Sequence, residues 1–132
     1  MKTISNFFDG KLIVSESSDK LPLYKPTTGE EYAQIPVTTD KEFKLIIDKM
    51  KNAQISWANT PVTKRSAILF KFKSLIEKNF DEIARIISEE HGKVFSDAKG
   101  SLQRGLEVVD FACGIPHLLK GNHSINVGTN VD

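Results

Sequence analysis

The segment spanning residues 91–121 constrains the fold most, because its centre has the periodicity of a long helix with two apolar faces. The first face carries small and apolar residues at spacings of three and four: Phe95, Ala98, Leu102, Leu106, Val109, Cys113 and Pro116. The second face carries Val108, Phe111 and Ile115. A helix with two apolar faces requires packing partners on both sides. We therefore expect this chain to present more apolar surface than its own helices can cover.

Arg104 stands one helical turn before Val108, and its position allows two interpretations. A guanidinium at the head of an apolar stripe is costly to bury unless it meets an anion, which would make Arg104 a substrate-facing residue. The alternative is an exposed Arg, or one paired with Asp97 or Glu107. Charged side chains are mostly exposed or paired, so the residues alone favour the alternative.

The composition is ordinary for a single globular domain of 132 residues, and it argues against several classes of function. The 18 basic and 17 acidic residues are spread along the chain, which gives no case for nucleic acid or an anionic membrane. The single cysteine, Cys113, excludes an intrachain disulfide and indicates a reducing compartment. No apolar run approaches a membrane span and no signal peptide is evident, so we expect a cytoplasmic protein.

Two further groups of candidate residues receive structural interpretations. His91, His117 and His123 lack the close spacing of metal ligands, so no metal site is predicted. Cys113 lies on the first apolar face, and no activating His or acid is placed beside it by local spacing. Free Cys is among the most buried residue types, so we interpret Cys113 as a core residue.

Residues 1–36 are predicted to form a β-hairpin region. Asp9 and Gly10 lie between two apolar stretches and tolerate the positive φ angles of a two-residue hairpin turn. Two more strands are predicted at residues 21–25 and 31–35, separated by a Thr-Thr-Gly turn signal. Isolated hairpins are marginally stable in water, so this region needs another surface to pack against.

Residues 37–121 are predicted to form four helices, and residues 122–132 a tail that could begin a strand. The first helix begins with a capping box of Thr39 and Glu42, and its predicted core face includes Met50 and Trp57. The second helix is predicted to begin with Thr60 as N-cap and Pro61 in its first turn. The predicted core face of the second helix includes Phe72 and Leu75. The third is predicted to begin at Asn79, with Glu82 three residues later, and to end at Gly92 with a positive φ angle. The fourth is predicted to begin near Ser96. The fold class is therefore α+β, with N-terminal β-hairpins followed by four helices.

Several short segments, taken in order, resemble the N-terminal part of the aldehyde dehydrogenase superfamily. They are ISNFFDGK (4–11), KPTTGE (25–30), WANTPV (57–62) with Arg65, EHGK (90–93), DAKG (97–100) and RGLEVV (104–109). Each segment alone is weak, but the ordered set covers nearly the whole chain. The RGLE run is most similar to the branch of CoA-acylating methylmalonate-semialdehyde dehydrogenases.

This resemblance implies an incomplete N-terminal portion of the family fold that lacks the Rossmann-type sheet. Family members are longer and homo-oligomeric, and residues 122–132 resemble the start of their oligomerisation arm. Their chemistry joins thiolate attack on a semialdehyde, hydride transfer to NAD, loss of carbon dioxide and acyl transfer to CoA. The resemblance places the catalytic Cys, the oxyanion-hole Asn and the NAD-binding loops beyond Asp132. No NAD or CoA binding is therefore expected for this chain alone.

For Arg104, the resemblance reverses the preference given by the residues alone. It matches the helix Arg that holds the substrate carboxylate in this branch, and a planar guanidinium can bind a carboxylate through two hydrogen bonds. We therefore predict Arg104 as the substrate-binding residue of a segment that is catalytically inactive alone. The rest of the dehydrogenase could be supplied as a separate chain. The alternatives are a stand-alone helical binding or structural module, and a decayed remnant without a catalytic role.

Overall fold

The computed structural model describes residues 2–122, so most of the predicted tail at 122–132 lies outside the described residues. The strands are β1 (Lys2–Thr3), β2 (Asn6–Phe8), β3 (Lys11–Ile13), β4 (Lys20–Tyr24) and β5 (Glu31–Pro36). The helices are α1 (Asp40–Ala58), α2 (Val62–Lys78), α3 (Phe80–His91), α4 (Phe95–Cys113) and the one-turn α5 (Ile115–Leu118). The predicted order of strands followed by helices is confirmed. The division at residues 36 and 121 stays a prediction.

The strands form a two-stranded hairpin and a separate three-stranded sheet. In the hairpin, β2 pairs with β3 antiparallel, and the turn residues Asp9 and Gly10 have φ angles of 54° and 74°. The hairpin predicted at Asp9 and Gly10 is therefore confirmed. In the sheet, β5 lies between antiparallel β4 and parallel β1. The sequence gives no signal for β1, because a two-residue strand is too short to show alternation.

The local signals at two helix ends are confirmed. The Thr39 side chain accepts a hydrogen bond from the Glu42 backbone N–H at 3.3 Å, and Glu42 Oε2 accepts one from the Thr39 N–H at 2.8 Å. These two bonds are the predicted capping box of α1. Gly92 ends α3 with a φ of 67°. A Cβ atom at Gly92 would lie 3.2 Å from the Pro26 side chain, so glycine also allows a close approach of the turn at residues 25–30.

Two predicted helix starts lack a side-chain cap, although Asn79 is the N-cap residue of α3 as predicted. Thr60 does not cap α2, because its hydroxyl donates to the Ser56 carbonyl at 2.9 Å and so belongs to the end of α1. Pro61 takes the N-cap position, and α2 begins one residue later than predicted. Asn79 makes no side-chain cap to α3, since its amide donates backwards to the Leu75 carbonyl at 2.7 Å. These side chains satisfy the carbonyls of the preceding helix instead.

The packed core lies among α2, α3 and α4 and contains few large side chains. Ala84, Ala98, Leu106 and Cys113 are its buried apolar residues, and the Ser66 hydroxyl donates to the Cys113 carbonyl at 2.7 Å. The first face of α4 is therefore confirmed as a core face, although Phe95 at its start is exposed. The interpretation of Cys113 as a core residue is confirmed by its burial.

The predicted core faces of α1 and α2 are wrong for the part of the chain that the structure describes. Helix α1 contains no buried residue, and Met50 and Trp57 are exposed. On α2, Phe72 and Leu75 from its predicted core face are half exposed. Helical periodicity identifies an apolar face, but burial requires another element against that face.

Helix α1 is joined to the β region mainly through the Glu42 carboxylate. Its Oε2 accepts from the Ser15 hydroxyl at 2.6 Å, and its Oε1 accepts from the Glu16 N–H at 2.9 Å. Hydrogen bonds from the Ser15 hydroxyl and from the Thr39 and Glu16 backbone amides lower the pKa of Glu42 to about 2. An ion pair between Lys49 and Asp9 provides a second link, at 2.5 Å.

We expect the Glu42→Gln variant to be less stable and to lose part of the acid sensitivity of the wild type. The folded-state pKa of Glu42 lies below its unfolded value of 4.5, so its stabilisation is present above pH 4.5 and disappears toward about pH 2. Thermal unfolding followed by circular dichroism should show a melting temperature lower by about 3–5 °C at neutral pH, as for a lost helix cap. The exposed Glu89→Gln serves as control, and identical pH profiles for Glu42→Gln and wild type would contradict the prediction.

Candidate functional site

The predicted site residue, Arg104, lies on an exposed face of α4. Ser101, Arg104, Val108 and Phe111 follow one another at spacings of three and four residues and share this face. Val108 and Phe111 are 69% and 70% exposed, and Ile115 is partly buried. The second apolar face predicted from the sequence is therefore open along most of its length in the described part of the chain.

Arg104 is exposed at the head of this face and makes one side-chain hydrogen bond, from its Nη2 to Ser101 Oγ at 3.2 Å. Neither of the two acids proposed from the sequence as partners forms an ion pair with the Arg104 guanidinium. Asp97 instead forms an ion pair with Lys93 at 3.1 Å, and Glu107 accepts a hydrogen bond from Gln103 at 3.3 Å. Among residues 2–122, no carboxylate lies within 4.0 Å of the guanidinium.

Lys93 and Ser101 belong to this cluster, and the sequence reasoning missed both. The Lys93 ammonium donates to Ser101 Oγ at 2.7 Å, while the Ser88 hydroxyl donates to the Lys93 carbonyl at 2.6 Å. The spacing of Ser101 three residues before Arg104 was a usable signal, because such side chains meet on a helix. No pattern in the sequence predicted that Lys93 lies in this cluster, because its side chain reaches the site from the loop after Gly92.

A groove of about 550 Å³ lies beside the exposed face, between α2 and the end of α4. Glu107, Asp110 and Phe111 are among its lining residues. Asp110 pairs with Lys73 at 2.6 Å, and this hydrogen bond raises the pKa of Lys73. The Lys73 ammonium therefore offsets the charge of Asp110 at this groove.

Neither a metal centre nor a membrane segment is found in the described part of the chain. Residues 2–122 contain no group of three or more His, Cys, Asp or Glu side chains that could hold a metal ion. No helix within the same residues has both the length and the apolar character needed to cross a membrane.

Comparison with known proteins decides the family. Residues 13–131 match the aldehyde dehydrogenase family. The chain belongs to this family. Malonate-semialdehyde dehydrogenase from Pseudomonas aeruginosa is 40% identical over 132 residues, which are all of this chain and 26% of the relative. The chain thus spans about a quarter of the length of such relatives.

Solved structures show the same relationship. The methylmalonate-semialdehyde dehydrogenase from Oceanimonas doudoroffii superimposes with a TM-score of 0.91 at 45% identity, covering 97% of this chain and 26% of that chain. A chain from Sinorhizobium meliloti solved in complex with NAD gives a TM-score of 0.92 at 36% identity, covering 98% and 26%. The predicted fold class, an incomplete N-terminal portion of the aldehyde dehydrogenase fold, is confirmed. The described strands form only a hairpin and a small mixed sheet.

Proposed function

We propose that these residues are the N-terminal segment of an NAD-dependent, CoA-acylating malonate- or methylmalonate-semialdehyde dehydrogenase. The observation that carries this proposal is the match along the full chain to relatives named for these two semialdehydes. Such an enzyme converts malonate semialdehyde, CoA and NAD⁺ to acetyl-CoA, carbon dioxide and NADH. We keep the cytoplasmic location predicted from the sequence as part of this proposal.

In this proposal, Arg104 binds the carboxylate of the semialdehyde. Its guanidinium is exposed on α4, donates one hydrogen bond to Ser101, and has no carboxylate partner within the described residues. A guanidinium can donate two parallel hydrogen bonds to a carboxylate and keeps its charge when partly covered. A neutral aldehyde would leave these donors unpaired, so Arg104 selects an acid semialdehyde over a neutral aldehyde.

No residue of this chain is assigned to NAD, to CoA or to covalent catalysis. The described strands do not form the doubly wound sheet at whose edge dinucleotides bind, so this part of the chain does not fit NAD. Cys113 is buried and packs in the core, so it does not fit the nucleophile. The contribution of these residues is to bind and orient the substrate carboxylate. The remaining machinery belongs to the rest of the enzyme, on this chain or on a second one.

The exposure of Val108 and Phe111 favours a segment of a larger enzyme over a self-sufficient helical module. A stand-alone domain would cover these side chains with its own strands, since large apolar patches are unusual on monomeric proteins. In the described residues the hairpins lie elsewhere, and α1 also keeps its apolar residues exposed. We infer that the remainder of the dehydrogenase covers these faces.

The proposal can be tested with a chimera in which these 132 residues replace the matched segment of the Pseudomonas aeruginosa relative. We expect the purified chimera to form NADH and acetyl-CoA from malonate semialdehyde, with a clear preference over propanal. A chimera that folds and oxidises both aldehydes equally would contradict the assigned specificity. A folded chimera that oxidises neither would favour a decayed remnant.

A further inference from the structure

A single oxygen, Ser101 Oγ, links two cations that come from different segments of the chain. It accepts hydrogen bonds from Lys93 Nζ at 2.7 Å and from Arg104 Nη2 at 3.2 Å. A hydroxyl oxygen has two lone pairs, and these two donors occupy both. The rotamer of Ser101 and the direction of the Arg104 guanidinium are therefore fixed together.

Lys93 is itself held in place from several sides. Its ammonium pairs with Asp97 at 3.1 Å, and its side chain is only 25% exposed. Its carbonyl accepts a hydrogen bond from Ser88, and the preceding Gly92 contacts Pro26. This packing makes Lys93 a fixed donor, and the ion pair with Asp97 balances its charge. Ser101 is thus attached to an anchored group on one side and to a long, exposed side chain on the other.

We propose that Ser101 is a positioning residue that orients Arg104 for the substrate carboxylate. This inference rests on the proposed function of Arg104. An unrestrained Arg has many rotamers, and each binding event would have to select the productive one. A hydrogen bond from one N–H of Nη2 to Ser101 restricts the guanidinium before the substrate arrives. The second N–H of Nη2 stays available and can form a two-bond contact to a carboxylate together with a neighbouring nitrogen of the guanidinium. The gain appears in substrate affinity, because Ser101 acts on the carboxylate through Arg104.

Replacement of Ser101 by Ala in the chimera tests this role. We expect KM for malonate semialdehyde to rise about tenfold with kcat nearly unchanged, as for the loss of one hydrogen bond to a charged group. Both constants for propanal should stay the same, because a neutral aldehyde does not use Arg104. The Ser101→Thr variant keeps the hydroxyl and should restore the wild-type KM. Ala has a higher helix propensity than Ser, so the Ser101→Ala variant is expected to fold.

Two further variants make the test specific. Ser101→Cys keeps the size of the side chain but offers a weak acceptor, so it should raise KM as Ala does. Ser96→Ala is the matched control, since Ser96 is exposed on the same helix and its side chain makes no hydrogen bond within residues 2–122. Circular dichroism and melting temperature of every variant show whether the fold is intact.

The possible outcomes separate this inference from the proposed function. If Ser101→Ala leaves KM unchanged while Arg104→Leu raises it, Ser101 does not position Arg104 and the proposed function stands. If Ser101→Ala alters the constants for propanal as much as those for the acid, its role is structural and the inference fails. If Arg104→Leu affects both aldehydes equally, the carboxylate assignment fails and the inference falls with it.

Discussion

Replacing Arg104 by Leu in the chimera is expected to raise KM for malonate semialdehyde roughly 100-fold, while KM for propanal changes by less than about twofold. Under the proposed function, this variant removes a bidentate contact to the substrate carboxylate. Two charge-assisted hydrogen bonds at about 1.5 kcal/mol each amount to about 3 kcal/mol, which corresponds to a factor of about 100 in binding. Steady-state kinetics with both aldehydes, at saturating NAD and CoA, provide the measurement.

Two further variants on the same helix test whether the effect depends on the guanidinium of Arg104. Arg104→Lys keeps the charge but loses the planar fork, so its KM should lie between those of wild type and Arg104→Leu. Gln103→Leu places the same new side chain on the neighbouring exposed position, where the wild-type side chain donates a hydrogen bond to Glu107. Its constants should equal those of the wild type. Equal losses for the acid and for propanal in Arg104→Leu would mean that Arg104 serves the fold and not the substrate.

The 132 residues expressed alone are expected to form no NADH from malonate semialdehyde, CoA and NAD. The resemblance places the nucleophile and the cofactor loops outside these residues, and the described part offers no doubly wound sheet to replace them. Activity should appear when the remainder of the Pseudomonas aeruginosa relative is co-expressed as a second chain. Coupled measurement of NADH and acyl-CoA provides the test. NADH formation by the purified segment, with a substrate-free reaction as control, would refute the prediction.

The exposed apolar surface of the segment provides a second measurement on the same isolated and co-expressed samples. Among the described residues, no large side chain is fully buried, and Ile55, Val108 and Phe111 are each more than two-thirds exposed. The isolated segment should therefore bind an apolar dye and self-associate, and co-expression with the remainder should reduce both effects.

Local structure was predictable wherever neighbouring residues supply both partners of an interaction. The hairpin at Asp9 and Gly10 needs only positive φ angles, and the capping box of Thr39 and Glu42 closes within one turn. The side-chain caps of Thr60 and Asn79 are absent because each residue lies between two adjacent helices and its side chain can bond to either helix. In both cases the side chain donates a hydrogen bond to a free carbonyl of the preceding helix.

Burial and the site cluster depended on contacts between distant segments. The apolar periodicity of α1 and of the second face of α4 was visible in the sequence, but whether these faces are covered is decided by what packs on them. The grouping of Lys93 with Ser101 depends on the loop after Gly92, and Asp97 pairs with Lys93 instead of Arg104. Such competition among several possible partners is resolved by three-dimensional placement.

The sequence by itself determined the family, the order of strands and helices, and the position of Arg104 on an apolar helix face. These follow from residue identity and from periodicity, which are properties of the chain alone. The tertiary structure decided that α1 stays uncovered in the described residues, that Arg104 has no acid partner there, and that Ser101 joins it to Lys93. The physical reason is that desolvation and hydrogen-bond pairing depend on which surfaces meet, and segments far apart in sequence supply those surfaces.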